Sequence, residues 1–464
     1  MKKIVLAALI TFLCSYSLSA GYRAGVAKKI ITPETPVQLS GYASTSRAQP
    51  VGEVLHDLWA KALVLSEDNK EGSMIIIVTM DVIGLSHELS ESIIERVTSQ
   101  YKIDRSQLLI NASHTHSGPV IWPSLMNMFD LSKEDIQSLV KYNKRLTEDV
   151  LELIGMAISD LRPVKISIAH SSAKFAVNRR EKTDRGVVIG VNKNGPVDYD
   201  VPVLKIETYD SRLFAVLFGY ACHNTTLDIN QINGDYAGFA QIEIEKNNPG
   251  TVAMFLSGCG ADQNPYPRRS VEAAIQHGKD LAEAVQHALK GDFKPVGTPL
   301  RTFFTTCELE FAPFVPEQFR EEMLGNDRFR FKRGKFILEA MDKGYNVQTI
   351  RYPVQAVRFG NDFTIIALAG EVVVDYSLKT KKLYPDEDIF VAGYCTEVQC
   401  YIPTAEILKE GGYEPVTSMI YYGLPGPFSE NVENKIFTAI NLAMKKTGAK
   451  AYARKKLNLL LNNL

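Results

Sequence analysis

Three times along this chain a short, β-branched apolar run gives way to a helical pattern and then to a second apolar run. Residues 74–80 read as a strand, 88–101 as an amphipathic helix and 108–112 as a second strand. The same order recurs at residues 213–221, 237–246 and 251–256, and again at 363–368, 372–383 and 389–392. A helix between two strands is the crossover that parallel pairing requires, whereas a meander needs only short turns. The pattern predicts an α/β fold: layered β-α-β units, with largely parallel sheets flanked by helices. No stretch rich in Pro, Gly or Ser divides the units, so a single large catalytic domain is expected over residues 21–464. Residues 316–344, rich in Arg, Lys and Glu, read as a mostly helical excursion with a solvated face.

Each unit leaves polar residues where a strand gives way to the next element: Asp81 and His114, His223 and Asp262, Glu371 and Tyr401. Open α/β sheets gather ligand sites beyond the carboxyl ends of their strands, so the three pairs are expected to meet in one cleft. Charge is balanced, with 52 Lys plus Arg against 53 Asp plus Glu. That balance gives no electrostatic reason to expect nucleic acid or an anionic membrane as partner.

The first twenty residues read as a signal peptide. Lys2 and Lys3 precede an apolar run from Ile4 to Cys14, and small residues follow through Ser19 and Ala20. The run is too short to span a bilayer. A mature chain beginning near Gly21 is expected in the periplasm or outside the cell, with no integral membrane segment after cleavage. It keeps Cys222, Cys259, Cys307, Cys395 and Cys400. Cys395 and Cys400 are near enough in sequence to pair, while the others read as small buried hydrophobes. No CxxC pair points to a thiolate zinc site.

The sharpest local motif is Asn-Ala-Ser-His-Thr-His-Ser-Gly-Pro at residues 111–119. On extended backbone, His114 and His116 project from one face, and Ser117, Gly118 and Pro119 then end the strand in a turn. His223 closes another apolar run and is followed by Asn224, Thr225 and Thr226, which suits a metal ligand with hydrogen-bonding support. Glu371 directly follows a buried run and opens a helical pattern, a position that a helix N-terminus alone also favours. Asp81 reads either as a residue orienting a ligand or as a strand-end cap.

These residues carry a family resemblance. The run at 111–119, the strand-end His223, Asn-Gly-Asp-Tyr-Ala-Gly at 233–238 and the Gly370-Glu371 pair occur in the same order in the neutral/alkaline non-lysosomal ceramidases. The chain resembles their N-terminal catalytic domain from about residue 24 to about residue 422. The resemblance implies one zinc ion held by His114, His223, Glu371 and Tyr401. Tyr401 is chosen because Tyr413-Glu414 follows it at the family's spacing. It further implies His116 beside the metal's water, Arg179 reaching the site and Tyr413 facing the substrate. Two imidazoles and a carboxylate form a hydrolytic zinc shell, and such a metal activates water and polarises a carbonyl. His116 would carry the proton, and Arg179 or Tyr413 would stabilise the oxyanion.

Two departures from the family bear on substrate. Its serine in a Gly-Asp-x-Ser-Pro-Asn segment has no counterpart in Gly-Cys-Gly-Ala-Asp-Gln-Asn-Pro at residues 258–265, where Gln263 falls near the serine's place. Glutamine is no nucleophile, although its amide can hydrogen-bond a substrate carbonyl. The ceramidases also carry a C-terminal β-rich domain, whereas residues 430–464 read as a basic helical tail. The expected function is a secreted or periplasmic zinc hydrolase of an amide, N-acyl, ceramide-like bond. A zinc hydrolase of an ester or a carbohydrate derivative and a non-catalytic metal-containing binding protein are the alternatives. The expected partner is a small-molecule, lipid-like or glycan-derived substrate.

Overall fold

The computed structural model describes residues 21–43, 47, 49–68 and 70–450. The expected signal segment, and the end of the basic tail after residue 450, lie outside the described residues. The main sheet runs in the order Val252–Ser257, Leu213–Tyr220, Asp200–Thr208, Arg162–Ser172, Tyr22–Ile30, Trp59–Glu67, Met74–Met80, Leu108–Ala112. A second sheet runs Leu300–Glu310, Thr349–Phe359, Phe363–Leu368, Ile389–Ala392.

Alternation along the strands dictates the layers. In Trp59–Glu67, Ala60, Ala62 and Val64 pack with Ile93 and Val97 of the helix His87–Tyr101 and with Leu146 and Val150 of the helix Lys133–Ser159. Leu63 and Leu65, one residue out of step, face the second sheet and meet Val357, Phe359 and Ile365. The far face of that sheet, with Val354, Ala356 and Ile366, is covered by Tyr376 and by Ile436, Phe437 and Ile440 of the helix Val432–Lys446. Helices, sheet, sheet and helices are therefore stacked in that order. Each fully buried Leu, Ile or Phe in these layers contributes about 1.5–3 kcal/mol from removal of apolar surface.

The three expected crossovers are all present as parallel pairs. Met74–Met80 pairs with Leu108–Ala112, Leu213–Tyr220 with Val252–Ser257, and Phe363–Leu368 with Ile389–Ala392. The expectation of largely parallel sheets is corrected, because the other ladders of the two large sheets are antiparallel. Strands such as Arg162–Ser172 alternate buried and exposed positions, as one-sided antiparallel strands do. The excursion at 316–344 is two helices, Pro316–Leu324 and Arg328–Asp342.

One side chain ties the three units together at their carboxyl ends. Asn111, ending the first unit, accepts from Ser257 N at 2.9 Å and donates to Gly393 O at 2.7 Å. Ser257 ends the second unit and Gly393 follows the third. Both groups of this buried amide are satisfied, as burial requires. The strand ends, and the residues after them, are held at one place.

Candidate metal centre and substrate cleft

The first unit's strand stops at Ala112. Ser113 N donates to Met80 O at 2.9 Å, and His114 N to Val82 O at 3.0 Å. His114 itself takes φ 60°, in the left-handed region that a side chain rarely adopts. The expectation of two histidines on an extended strand is thereby corrected: a sharp bend, not strand alternation, aims both rings at one point. Strain of this kind is held by its surroundings and clusters at functional sites. His114 Nδ1 is bonded to Ile83 O, which leaves its Nε2 lone pair facing inward.

Two other segments deliver the partners. His223 N donates to Gln263 O at 2.8 Å. Glu371 and Tyr401 sit opposite each other in a short parallel ladder, where Glu371 N donates to Cys400 O at 2.8 Å. The result is a buried cluster of imidazole nitrogens. His114 Nε2 lies 3.1 Å from both His223 Nε2 and His116 Nε2. Glu371 Oε2 is 3.1 Å from His114 Nε2 and 3.6 Å from His223 Nε2, yet has no hydrogen-bond partner.

That crowding is the test of whether a cation fits. Lone pairs this close repel unless a positive charge lies among them, and a buried carboxylate oxygen without a donor is costly. Burial above all pushes His116 and His223 well below the usual histidine range, so both keep a free lone pair. Burial raises the Glu371 carboxyl, but His114, Tyr422 and Tyr401 together outweigh it and the group stays below its ordinary value. His114, His116 and His223 together form a group able to hold a metal ion. His116 thus belongs to the cluster by position.

Around the donors lie Tyr422 and Tyr394, which carried no motif, and the expected Tyr401, Tyr413 and Arg179. Tyr422 Oη is bonded to Glu371 Oε1. The Tyr394 ring lies 4.4 Å from that of His114, between centroids. Tyr401 lies parallel to His223 at 6.4 Å and edge-on to Tyr413 at 5.4 Å. Arg179 covers both tyrosine rings, at 5.3 and 5.5 Å. Its Nε donates to Glu414 Oε1 at 2.8 Å, while its Nη2 is buried and unpaired. Burial raises the Tyr413 phenol well above its ordinary value, so it stays protonated as a donor. Asp81 takes the plainer of its two expected roles: its Oδ2 accepts from Trp59 N at 3.0 Å.

The substrate-facing role expected for Gln263 is corrected. Its side chain is 0% exposed. Its Nε2 donates to Ala221 O and Cys259 O, and its Oε1 accepts from Asp198 N at 2.9 Å. Both amide hydrogens are used inside the protein, and no part of the side chain is open to a substrate. The strand Gln263–Pro265 pairs antiparallel with Ala176–Thr183, and neighbouring strand residues face opposite ways. Asn264 therefore points the other way and lines the cleft, with Oδ1 buried and unpaired. Cys395 and Cys400 are both free and buried.

The cleft over this cluster has a volume of about 230 Å³. His116, Arg179, His223, Asn264, Tyr401 and Tyr413 are among the residues that line it. No helix among the described residues is long and apolar enough to cross a membrane.

Comparison with known proteins places this geometry among relatives. A family model described as neutral/alkaline non-lysosomal ceramidase, N-terminal, matches residues 22–296. Neutral ceramidase B of Dictyostelium discoideum is 24% identical over 279 residues, which covers 55% of this chain and 36% of that protein. Neutral ceramidase of Pseudomonas aeruginosa is 23% identical over 255 residues, covering 53% and 37% respectively. The matched region thus spans little more than a third of those relatives. The crystal structure of the Pseudomonas aeruginosa enzyme superposes with a TM-score of 0.71 at 17% identity, over 94% of this chain and 76% of that one. A ceramidase complexed with C2 gives the same TM-score at 16% identity, covering 94% and 77%. These two structures share the fold.

Proposed function

The chain belongs to the neutral/alkaline non-lysosomal ceramidase family, and from that premise we propose that it is a secreted or periplasmic zinc-dependent hydrolase of an amide bond. The observation that carries this reading is the unpaired Glu371 Oε2 among three inward-facing imidazole nitrogens. His114, His223, Glu371 and Tyr401 are assigned to hold the metal. Nitrogen and oxygen donors of this kind suit zinc. A zinc ion in such a shell acts as a Lewis acid, polarising a carbonyl and lowering the pKa of water to about 7.

The chain's own residues do the rest. His116 is assigned to proton transfer, taking a proton from water and delivering it to the leaving nitrogen. Arg179 lines the cleft and carries a buried, unpaired donor at Nη2, suited to the oxygen on which negative charge develops. Tyr413, kept protonated by burial, donates to the same oxygen or to the substrate. Glu414 holds the Arg179 guanidinium in place through its Nε. Gln263 has a different part: its main-chain carbonyl fixes His223, and its side chain braces the turn beneath.

Residues 21–464 are proposed to act as one catalytic domain, with residues 1–20 as the export signal. A second reading keeps the metal and changes the bond to that of an ester or a carbohydrate derivative. It is favoured by the donors of the cleft, since Arg179 and Tyr413 would serve the carbonyl oxygen of an ester as they would that of an amide. A screen of the zinc-loaded protein against N-acyl, O-acyl and glycosidic substrates separates the two. Amide turnover supports the first reading, and turnover of glycosides alone overturns it.

A further inference from the structure

The cleft is lined by three arginines, Arg179, Arg268 and Arg269, and by no carboxylate among the described residues. The residues that are not described carry no Asp or Glu. Two of the three cations are matched. Arg179 pairs with Glu414, and Arg269 Nη1 lies 2.7 Å from Asp228 Oδ2. Asp228 also serves the buried Arg47, whose Nε is 3.1 Å from its Oδ1. Among the described residues Arg268 has no acidic partner within 4.0 Å, so Arg47, Arg268 and Arg269 together share one carboxylate there. Arg268 donates to Tyr42 Oη at 3.1 Å, and its Nε is buried with no partner at all.

This cluster is built into the fold. Arg269 is held at φ 81° while its N–H donates to Thr226 O at 2.7 Å, an unfavourable backbone state kept by its surroundings. Tyr42 gathers the cations: Arg47 and Arg269 lie over its ring at 4.7 and 5.0 Å, and Arg268 takes its hydroxyl. The same ring lies 4.7 Å from that of His116. The unmatched positive charge is therefore one aromatic ring away from the proposed proton carrier. A partly buried guanidinium without a counter-ion is left to attract an anion, and its planar fork fits an oxyanion.

Three residues that line one small cleft then carry unsatisfied groups: Asn264 a buried acceptor at Oδ1, Arg179 a buried donor at Nη2, and Arg268 a cation with no acidic partner. An amide offers an N–H to the first and a carbonyl to the second. We propose that the substrate is a small N-acyl compound whose amide lies close to an anionic group, a carboxylate or sulfonate held by Arg268, and not a neutral lipid amide. The cleft volume agrees with this, and half-exposed Ile189 at the rim offers apolar surface to a short acyl chain. The inference rests on the amide-hydrolase reading above.

The test compares N-hexanoylglycine, N-hexanoyltaurine and the neutral N-hexanoylglycinamide on the zinc-loaded full chain, by hydrolysis and by calorimetric binding. Both anionic compounds are expected to exceed the neutral one by at least ~10-fold in kcat/KM, about what one charge-assisted contact supplies. Arg268→Gln should collapse that ratio through KM, at unchanged zinc content, and Arg268→Lys should restore part of it. Equal use of the neutral compound, or a ratio unaltered by Arg268→Gln, overturns the inference while leaving the hydrolase reading intact. If no amide is cleaved, the binding arm decides. Anion-selective binding lost in Arg268→Gln upholds the anion site and removes the hydrolase reading. Binding without selectivity for the anion, or no binding of any of the three, overturns the site as well.

Discussion

Glu371 and Tyr401 are side-by-side partners in a two-residue parallel ladder, with Glu371 N bonded to the carbonyl of Cys400. Two side chains far apart in sequence are thus fixed by main-chain geometry at the edge of the histidine cluster. A site built on paired backbone is more precisely placed than one on a free loop.

The hydroxyl of Tyr422 bonded to Glu371 Oε1 leaves Oε2 facing the histidines. Tyr422→Phe is expected to keep the fold and weaken zinc affinity by about 10- to 100-fold, as loss of a partner behind a ligand does. Glu371→Ala should remove the metal altogether. Competition against a chromophoric chelator reads both. Unchanged affinity in both variants would remove Glu371 from the metal shell.

His116 is assigned to proton transfer although its Nε2 stands as close to His114 as that of His223 does. His116→Ala is expected to retain one zinc per chain and lose about 10²- to 10⁴-fold in turnover. Loss of metal from that variant would make His116 a ligand instead.

Gly41, at φ 90°, backs the His116 ring, and a Cβ there would fall 2.3 Å from His116 Cγ. Gly41→Ala must therefore displace the imidazole or strain the backbone. Turnover is expected to drop at least ~10-fold while zinc content stays at one per chain. A fully active Gly41→Ala variant would show that the position of His116 does not matter.

The sequence foretold the parallel pairs because residues 74–80 and 108–112, and their two counterparts, are continuous β-branched runs around helical patterns. The antiparallel ladders were harder to see. Arg162–Ser172 mixes Lys, His and Ser with its apolar residues, and so carries a weaker strand signal. His114, His223, Glu371 and Tyr401 were legible as strand-end residues, and their side chains gather at the histidine cluster, His223 and Tyr401 also lining the cleft. The bend at His114 was not, since histidine carries no preference that announces a left-handed φ. Gln263 and Asn264 are adjacent amides, and only the register against Ala176–Thr183 shows which one faces the cleft. Tyr394 and Tyr422 left no signal, because a tyrosine in an apolar stretch reads as core.

A pH effect is expected away from the site. Burial lowers the pKa of His170, but Asp200 and Asp388, at 2.8 and 2.9 Å, overcome this and raise it to about 10. The charged imidazolium joins two segments distant in sequence. Because the folded pKa lies above the unfolded value of about 6.5, the stabilisation is complete below pH 6.5 and fades as pH rises towards 10. His170→Gln should lower the thermal midpoint more at pH 6 than at pH 10. An equal loss at both would mean that the pair contributes through packing alone.

The histidine cluster is proposed to hold a zinc ion on which amide hydrolysis depends. The most direct measurement is the metal content of the purified protein beside its turnover of N-hexanoylglycine, before chelation, after it and after zinc is returned. The expected result is one zinc per chain, with turnover lost on chelation and recovered in proportion to the zinc restored. Full turnover by the metal-free protein would contradict it.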